Sequence, residues 1–555
     1  MNDFATDKLA APIADLRDDW WRGAVIYQIY PRSFQDTTGD GIGDLAGITR
    51  RLPYVAELGA DAIWISPFFP SPMKDFGYDV SNYTDVDPMF GTLADFDRLI
   101  AEAHRLGLKV MIDQVLSHTS DVHPWFRESR SSKDNAKSDW FVWADAKPDG
   151  SPPNNWLSIF GGPAWEWDTR RCQYYLHNFL AAQPDLNFHN RDVQDALLDT
   201  VEFWLKRGVD GFRLDTVNFY FHAESLADNP PATSRDAPEA PSVNPYNFQA
   251  HIYDKTQPEN LEFLKRLRAL LDKYPAKTTV GEIGDNNALK VMADYTSGGD
   301  KLHMSYTFDF LGTAFSAQYF RDKVERLEAM IGDGWPCWAF SNHDVTRHVS
   351  RWAAVWGRDP NALARLAAGI LLSLRGSVCL YQGEELGLTE AHLEFADLAD
   401  PYGIRFWPEY KGRDGCRTPM VWESNAPNGG FSQAKPWLPV SPEHIAHAAD
   451  RQLGDGESVL AHYRMLLAFR HAHEALQQGD IAFLDADPDV LAFTRIGGGE
   501  KLLCLFNLGS AAARFTVPRE LTVTALSGHG FAGSLEPGGR VVRLPAGEAF
   551  FGAIG

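Results

Sequence analysis

Cysteine, basic charge and long apolar runs are all scarce in this 555-residue chain. The five cysteines are Cys172, Cys337, Cys379, Cys416 and Cys504. Their number is odd, their spacing is wide and no Cys-x-x-Cys pair occurs, so neither a disulfide framework nor a zinc site is expected. Lys and Arg number 52 against 74 Asp and Glu, a net charge of −22. So acidic a chain does not suit nucleic acid or an anionic membrane as a partner. No apolar run reaches the length of about 18 residues that a membrane-spanning helix needs. The opening stretch MNDFATDKLAAPIADLRDDWW is acidic and has no apolar centre, so no secretory signal is expected. These absences point to an acidic protein of a reducing cytoplasm, monomeric or homodimeric.

What is present is enough apolar residue to build a large core. Hydrophobic residues make up 44% of the chain and charged residues 23%, an ordinary globular balance. The length exceeds the ~250 residues of a bare barrel. Short apolar runs that end in polar or charged residues punctuate the chain. They are AVIYQIYPRSF (24–34), DAIWISP (61–67), KVMIDQVLSH (109–118) and GFRLD (211–215), then TTVGE (278–282), HMSYTFDF (303–310), PCWAFSNHD (336–344) and SVCLYQGEE (377–385). Such runs read as buried parallel strands. Helical patterns such as ADFDRLIAEAHRLG (94–107) and VQDALLDTVEFWLKRG (193–208) fall between most of them and stop at Gly.

Eight strands alternating with helices predict an α/β fold, a (β/α)8 TIM barrel over residues 1–118 and 181–476. Residues 119–180, rich in Trp, Pro, Asn and Gly, predict an inserted subdomain B after strand three. The Pro-rich stretch within 217–260, DNPPATSRDAPEAPSVNPYN, predicts a loop over the barrel mouth. After a last helix, ESVLAHYRMLLAFRHAHEAL (457–476), the runs DVLAFTRI, KLLCLFNL, ARFTVP and RVVRLPAGEAFF predict a C-terminal β-sandwich over 477–555.

In a barrel of this kind the chemistry sits at the C-terminal strand ends. Asp215, Glu282 and Asp344 each close a strand run. Glycoside cleavage needs two carboxyl groups flanking one bond, about 5–5.5 Å apart when configuration is retained. Asp215 and Glu282 end neighbouring strands and are candidates for that pair. Arg213 lies two residues before Asp215 and shares its face. Its guanidinium would hold Asp215 ionised, as a nucleophile requires. Glu282 follows the apolar TTVG, and burial would raise it toward a working acid. A lone strand-end carboxylate is usually structural, so the combination carries the reading. Most of the 17 Trp belong to the core, although sugar C–H faces stack well on aromatic rings and some should line a site.

Five short motifs occur in order: DQVLSH (113–118), QPDLN (183–187), GFRLDTVN (211–218), GEI (281–283) and SNHD (341–344). On these the chain resembles glycoside hydrolase family 13, the α-amylase family, and within it the α-glucosidase and oligo-1,6-glucosidase group. The resemblance covers essentially the whole chain. It implies Asp215 as the nucleophile that forms a β-glucosyl ester, Glu282 as general acid/base and Asp344 as the acid that grips the 2- and 3-hydroxyls. It implies that His118 and His343 hydrogen-bond hydroxyls of the same glucose. Through DFGYD (75–79) it places Asp75 on the terminal 4-hydroxyl and Tyr78 against the ring. Through GRDGCRTPM (412–420) it makes Arg413 the partner of Asp75, closing a pocket for one terminal glucose. Phe160 and Phe179 look like aromatic walls.

DTTGDGIGD (36–44) offers oxygen ligands at alternating positions: Asp36, Thr38, Asp40, the carbonyl of Ile42, and Asp44. Position twelve is Gly47, so the loop is no EF-hand. The resemblance supports a structural Ca2+ or Mg2+ there and implies no organic cofactor. Thr216, directly after Asp215, goes with α-1,4 cleavage in this group, where Val goes with α-1,6. The expected activity is that of a retaining, exo-acting α-glucosidase on small α-glucosides such as maltose and sucrose, with transglucosylation. A glucosyltransferase, sucrose isomerase or trehalose synthase would use the same triad. A non-catalytic transporter scaffold of this family would lack the triad and carry a transmembrane helix. An endo-acting enzyme would lack the closed pocket.

Overall fold

The computed structural model describes residues 19–233, 240–357 and 359–555. The N-terminal stretch up to residue 18 and residues 234–239 of the Pro-rich stretch lie outside the described residues. All eight expected barrel strands are present. In chain order the strands run β1 (Val25–Ile29), β2 (Ala62–Ile65) and β3 (Lys109–Gln114), then β4 (Trp143–Ala144), β5 (Trp165–Asp168) and β6 (Gln173–Leu176) of an insertion. The barrel resumes with β7 (Gly211–Leu214), β8 (Thr278–Ile283), β9 (Met304–Thr307), β10 (Cys337–Ala339) and β11 (Ser377–Tyr381). Hydrogen bonding follows the order β10-β11-β1-β2-β3-β7-β8-β9. A parallel bridge between Ser305 and Pro336 joins the two ends and closes the ring.

Nearly every barrel-strand residue is buried, because helices cover one face and side chains fill the other. Ile26, Trp64, Met111, Val280, Met304 and Tyr306 form the packed interior. Val25, Ile63, Val110 and Phe212, at alternate positions, pack outward in the main core. The helix Leu93–Arg105 starts with a capping box between Thr92 and Asp95, and Arg191–Lys206 starts at Asn190. The last expected helix differs from its prediction. It runs Val459–Ala472, breaks at an extended His473 and restarts at Glu474. The His473 ring lies 3.1 Å from Glu500 of the C-terminal domain, so a tertiary contact interrupts a continuous helical pattern.

The insertion is a small antiparallel sheet, β4-β6-β5. The segment after β7 packs directly on it: Trp156 Nε1 donates to Ala227 O at 2.9 Å and Asn244 Nδ2 to Ile159 O at 2.7 Å. Past the barrel come β12 (Asp480–Phe483), β13 (Val490–Gly497), β14 (Glu500–Asn507) and β15 (Ala513–Thr516). They are followed by β16 (Val523–Ala525), β17 (Ser534–Leu535), β18 (Val541–Leu544) and β19 (Ala549–Ile554). The run RVVRLPAGEAFF is therefore two strands, divided at 545–548, where the chain crosses from one sheet to the other. Leu503, Leu505 and Phe550 of one sheet share a core with Phe515, Val542 and Leu544 of the other, a two-sheet sandwich. Among the described residues no helix is long and apolar enough to cross a membrane.

Candidate active site

Arg213 stands at the centre of the strand ends and is fully buried. Strand register places Asp113 of β3 and Val280 of β8 level with it. Its Nη1 lies 2.9 Å from Asp113 Oδ1 and 2.6 Å from Asp215 Oδ1, and its Nη2 lies 2.5 Å from Glu282 Oε1. Alternation along β7 assigned Arg213 to Asp215 alone; closure of the barrel gives it three carboxylates. Its contacts therefore do not by themselves separate nucleophile from acid, and that distinction rests on the motifs. Burial raises Asp215 and Glu282 to about 7 and Asp113 to about 6, against the pull of Arg213. One guanidinium cannot balance three carboxylates in a buried site, so the group retains a shared proton near neutral pH. Such a state, one group ionised and one protonated, is what a nucleophile–acid pair would require.

Local backbone supports the pair. Thr216 has a φ of 41°, a left-handed conformation costly for a β-branched residue. That turn aims its N–H at Glu282 Oε2, 3.2 Å away, while its Oγ1 lies 3.2 Å from Asp215 Oδ2. Gly281 precedes Glu282 where a Cβ would fall 2.6 Å from Leu302 Cδ1, so any larger residue would have to displace that side chain.

A second charged centre faces the first. Arg413 holds Asp75 Oδ1 at 2.8 Å, Asp344 Oδ1 at 3.2 Å and Asp400 Oδ1 at 2.9 Å. Arg417 adds a 2.8 Å contact to Asp344 Oδ1. Burial works against the charge of Asp344, but the guanidinium groups of Arg413 and Arg417 outweigh it and hold the carboxyl well below the usual range. Burial keeps His343 neutral; its Nε2 lies 2.6 Å from the Tyr78 hydroxyl and 3.2 Å from Asp344 Oδ2. Burial raises Asp75 despite Arg413.

A cavity of about 280 Å³ opens over both centres. Asp215, Glu282, Asp344, Asp75, Tyr78, His118, Thr216, Phe160, Phe179 and Arg413 all line it. Phe160 and Phe179 join Phe219 and Tyr402 in one aromatic wall, with Phe160 4.9 Å from Tyr402 and Phe179 5.4 Å from Phe219. Arg213 and His343 are not in the lining; both are fully buried behind it and touch the acids. Tyr78 covers His343, their rings parallel at 5.3 Å, and its hydroxyl lies 3.0 Å from Asp113 Oδ2.

A family model described as alpha amylase, catalytic domain, matches residues 28–479. The chain belongs to the α-amylase family. It is 63% identical over 540 residues to a probable alpha-glucosidase of Rhizobium meliloti (strain 1021), covering 97% of each chain. It is 38% identical to the oligo-1,6-glucosidase of Heyndrickxia coagulans, over 90% of this chain and 94% of that one. Among solved structures, the alpha-glucosyl transfer enzyme XgtA matches with a TM-score of 0.93 and 55% identity, over 97% of this chain and 99% of that one. Trehalulose synthase MutB of Pseudomonas mesoacidophila MX-45 matches with a TM-score of 0.86 and 34% identity, over 97% and 99%. This member of the α-amylase family is a glycoside hydrolase of the α-glucosidase group.

Several site residues of this α-amylase-family chain escaped the sequence reading. Asp113 and Gln183 lie inside motifs quoted for other residues; Gln183 Nε2 donates to Asp75 Oδ2 at 3.0 Å. Arg417 sits in the same segment as Arg413. Tyr306, in the sixth barrel strand, reaches Arg213 and Glu282. Asp400 carried no signal, being one of many surface-type Asp residues until the fold buries it against Arg413.

The loop 36–44 differs from the cation cage that its spacing predicts. Asp36 accepts from the N–H groups of Thr38, Gly39 and Gly41 and from Ser432 Oγ. Asp44 accepts from Thr37 N, Thr37 Oγ1 and Gly47 N, and Asp40 from Ile42 N. The carboxylates thus serve the loop's own donors and cap the helix Leu45–Leu58. Among the described residues no three His, Cys, Asp or Glu side chains are grouped to hold a metal ion. Asp36, Thr38, Asp40, Ile42 and Asp44 as arranged do not fit the expected Ca2+ or Mg2+, and no step below runs through one.

Proposed function

We propose that this enzyme is a retaining, exo-acting α-glucosidase of small α-glucosides that also transfers glucose to alcohol acceptors. The observation that supports this most is the sharing of Arg213 by Asp215 and Glu282 at one cavity wall, with the Asp75–Arg413 pair on the same cavity. In the first step an oxygen of Asp215 attacks the anomeric carbon while Glu282 gives its proton to the leaving glycosidic oxygen. The C–O bond breaks and a glucosyl ester forms. In the second step Glu282 takes a proton from water or from a sugar hydroxyl, which attacks the ester and frees Asp215. Asp344, held ionised, is suited to bind two neighbouring hydroxyls. Asp75 with Arg413 is suited to cap the non-reducing end, so that only a terminal glucose fits.

Thr216 supports α-1,4 preference, through the family association and its place in the cavity beside Asp215. Transfer has its own support. The cavity wall carries Phe219, Phe308, Leu311 and Val345, which suit an organic acceptor, and the match to an alpha-glucosyl transfer enzyme is at 55% identity. The decisive experiment is a proton NMR time course with product identification on maltose, isomaltose, sucrose, trehalose and maltotriose. On 4-nitrophenyl α-glucoside, where the only glucose comes from the cleaved bond, initial release of α-glucose is expected, and initial β-glucose would refute retention. Glu282→Gln should lower kcat/KM on maltose about 100- to 10,000-fold, and near-wild-type activity would remove the mechanism.

A further inference from the structure

Tyr306 ends up between the two most important groups of the site, yet it lines no part of the cavity. It lies on β9, is fully buried and packs in the barrel interior near Trp64. Arg213 Nη2 and Nε approach its hydroxyl oxygen at 2.9 and 3.2 Å. A guanidinium only donates, so the Tyr306 oxygen accepts from it. The hydroxyl proton is then directed to Glu282 Oε1, 2.8 Å away. Oε1 also meets Arg213 Nη2 at 2.5 Å, so both of its lone-pair directions are filled. Oε2, which accepts only the longer 3.2 Å contact from Thr216 N–H, is left to carry the acid proton.

We infer that Tyr306 is a positioning residue for the acid/base, orienting Glu282 and stabilising the carboxylate that remains once its proton has passed to the leaving group. The inference rests on the reading of Glu282 as the acid. During the step the Glu282 Oε2–H bond breaks and the proton goes to the glycosidic oxygen. The C–O bond breaks with its electron pair on that oxygen, and the Asp215–carbon bond forms. Charge grows on Glu282, and the hydrogen bonds from Tyr306 and Arg213 strengthen without movement of either donor.

The test compares Tyr306→Phe on two substrates. Maltose has a poor leaving group that needs the proton; α-glucosyl fluoride departs without one. Tyr306→Phe should lower kcat/KM about 10- to 100-fold on maltose and by less than about threefold on the fluoride. The fluoride rate also reports the fraction correctly folded. The alkaline limb of the maltose pH profile should move upward, because the charge-assisted bond lost by the carboxylate is stronger than the one lost by the protonated acid. The other charged groups facing Glu282 are Arg213, Asp215, Asp113 and Asp344, all unchanged in this variant. Equal losses on both substrates would assign Tyr306 to packing alone and overturn the inference, as would no loss on either. Glu282→Gln is measured alongside. If it fails to favour the fluoride, the role of Glu282 itself is wrong. If it favours the fluoride and Tyr306→Phe does not, only the role of Tyr306 is lost.

Discussion

Removing Asp75 and removing Arg413 should have opposite consequences, although the two residues touch. Asp75→Ala leaves Arg413 paired with Asp400 and Asp344, so no buried charge is stranded. Burial already opposes the charge of Asp75, and its loss should change stability by less than about 1 kcal/mol. Its cost falls on the substrate, as one charge-assisted hydrogen bond to the 4-hydroxyl, worth about 1.5–3 kcal/mol or about 10- to 150-fold in kcat/KM. Arg413→Ala leaves Asp75 and Asp400, both buried, without their guanidinium, while Asp344 keeps Arg417. Breaking a buried pair in this way costs about 3–5 kcal/mol of fold stability. Urea unfolding measures the stability of both variants. Rates on 4-nitrophenyl α-glucoside and on its C4 epimer, the α-galactoside, measure recognition. In Asp75→Ala the glucoside-over-galactoside preference should shrink by about the factor lost on glucoside. An undiminished preference, or an equal loss of stability in both variants, would refute the closed-pocket reasoning.

Thr216→Val removes a hydroxyl beside Asp215 and should shift the ratio of maltose to isomaltose turnover toward isomaltose; an unchanged ratio on a product panel would end the linkage assignment. Burial pushes Glu384 up to about 8, so the folded chain keeps a proton that the unfolded chain loses. Stability from that neutral acid is lost as pH rises, by about 1.4 kcal/mol per pH unit between its ordinary value and its folded one. Glu384→Gln does not titrate, so urea unfolding should show it gaining about 2–3 kcal/mol on the wild type between about pH 5.5 and about pH 7.5, and a constant difference would contradict the burial argument. Dialysis against EDTA should leave kcat and Tm unchanged, because the loop 36–44 satisfies its own carboxylates. A Tm rise with Ca2+ or Mg2+ that Asp40→Ala abolishes would show instead that the loop rearranges around an ion.

The barrel was legible because buried parallel strands are apolar on both faces and each ends in a polar residue, a pattern written in adjacent positions. Asp215, Glu282 and Asp344 stood out for the same reason, at the ends of such runs. The Gly that ends the helical pattern 94–107 was equally local, and the helix stops just before it at Arg105. His473, by contrast, sits in an unbroken helical pattern and is drawn out of it by Glu500, a contact that no local pattern announces.

The sequence by itself determined the order of strands and helices, the strand-end acids and, through its motifs, the pairing of Asp75 with Arg413 across 338 positions. Only the tertiary structure decided how charge is divided among them. Closure of the barrel sets β3, β7, β8 and β9 side by side, so Arg213 serves Asp113, Asp215 and Glu282 together with the hydroxyl of Tyr306. Buried electrostatics depends on every charge within a few ångströms and on the water excluded around them, and those neighbours come from segments far apart in the chain.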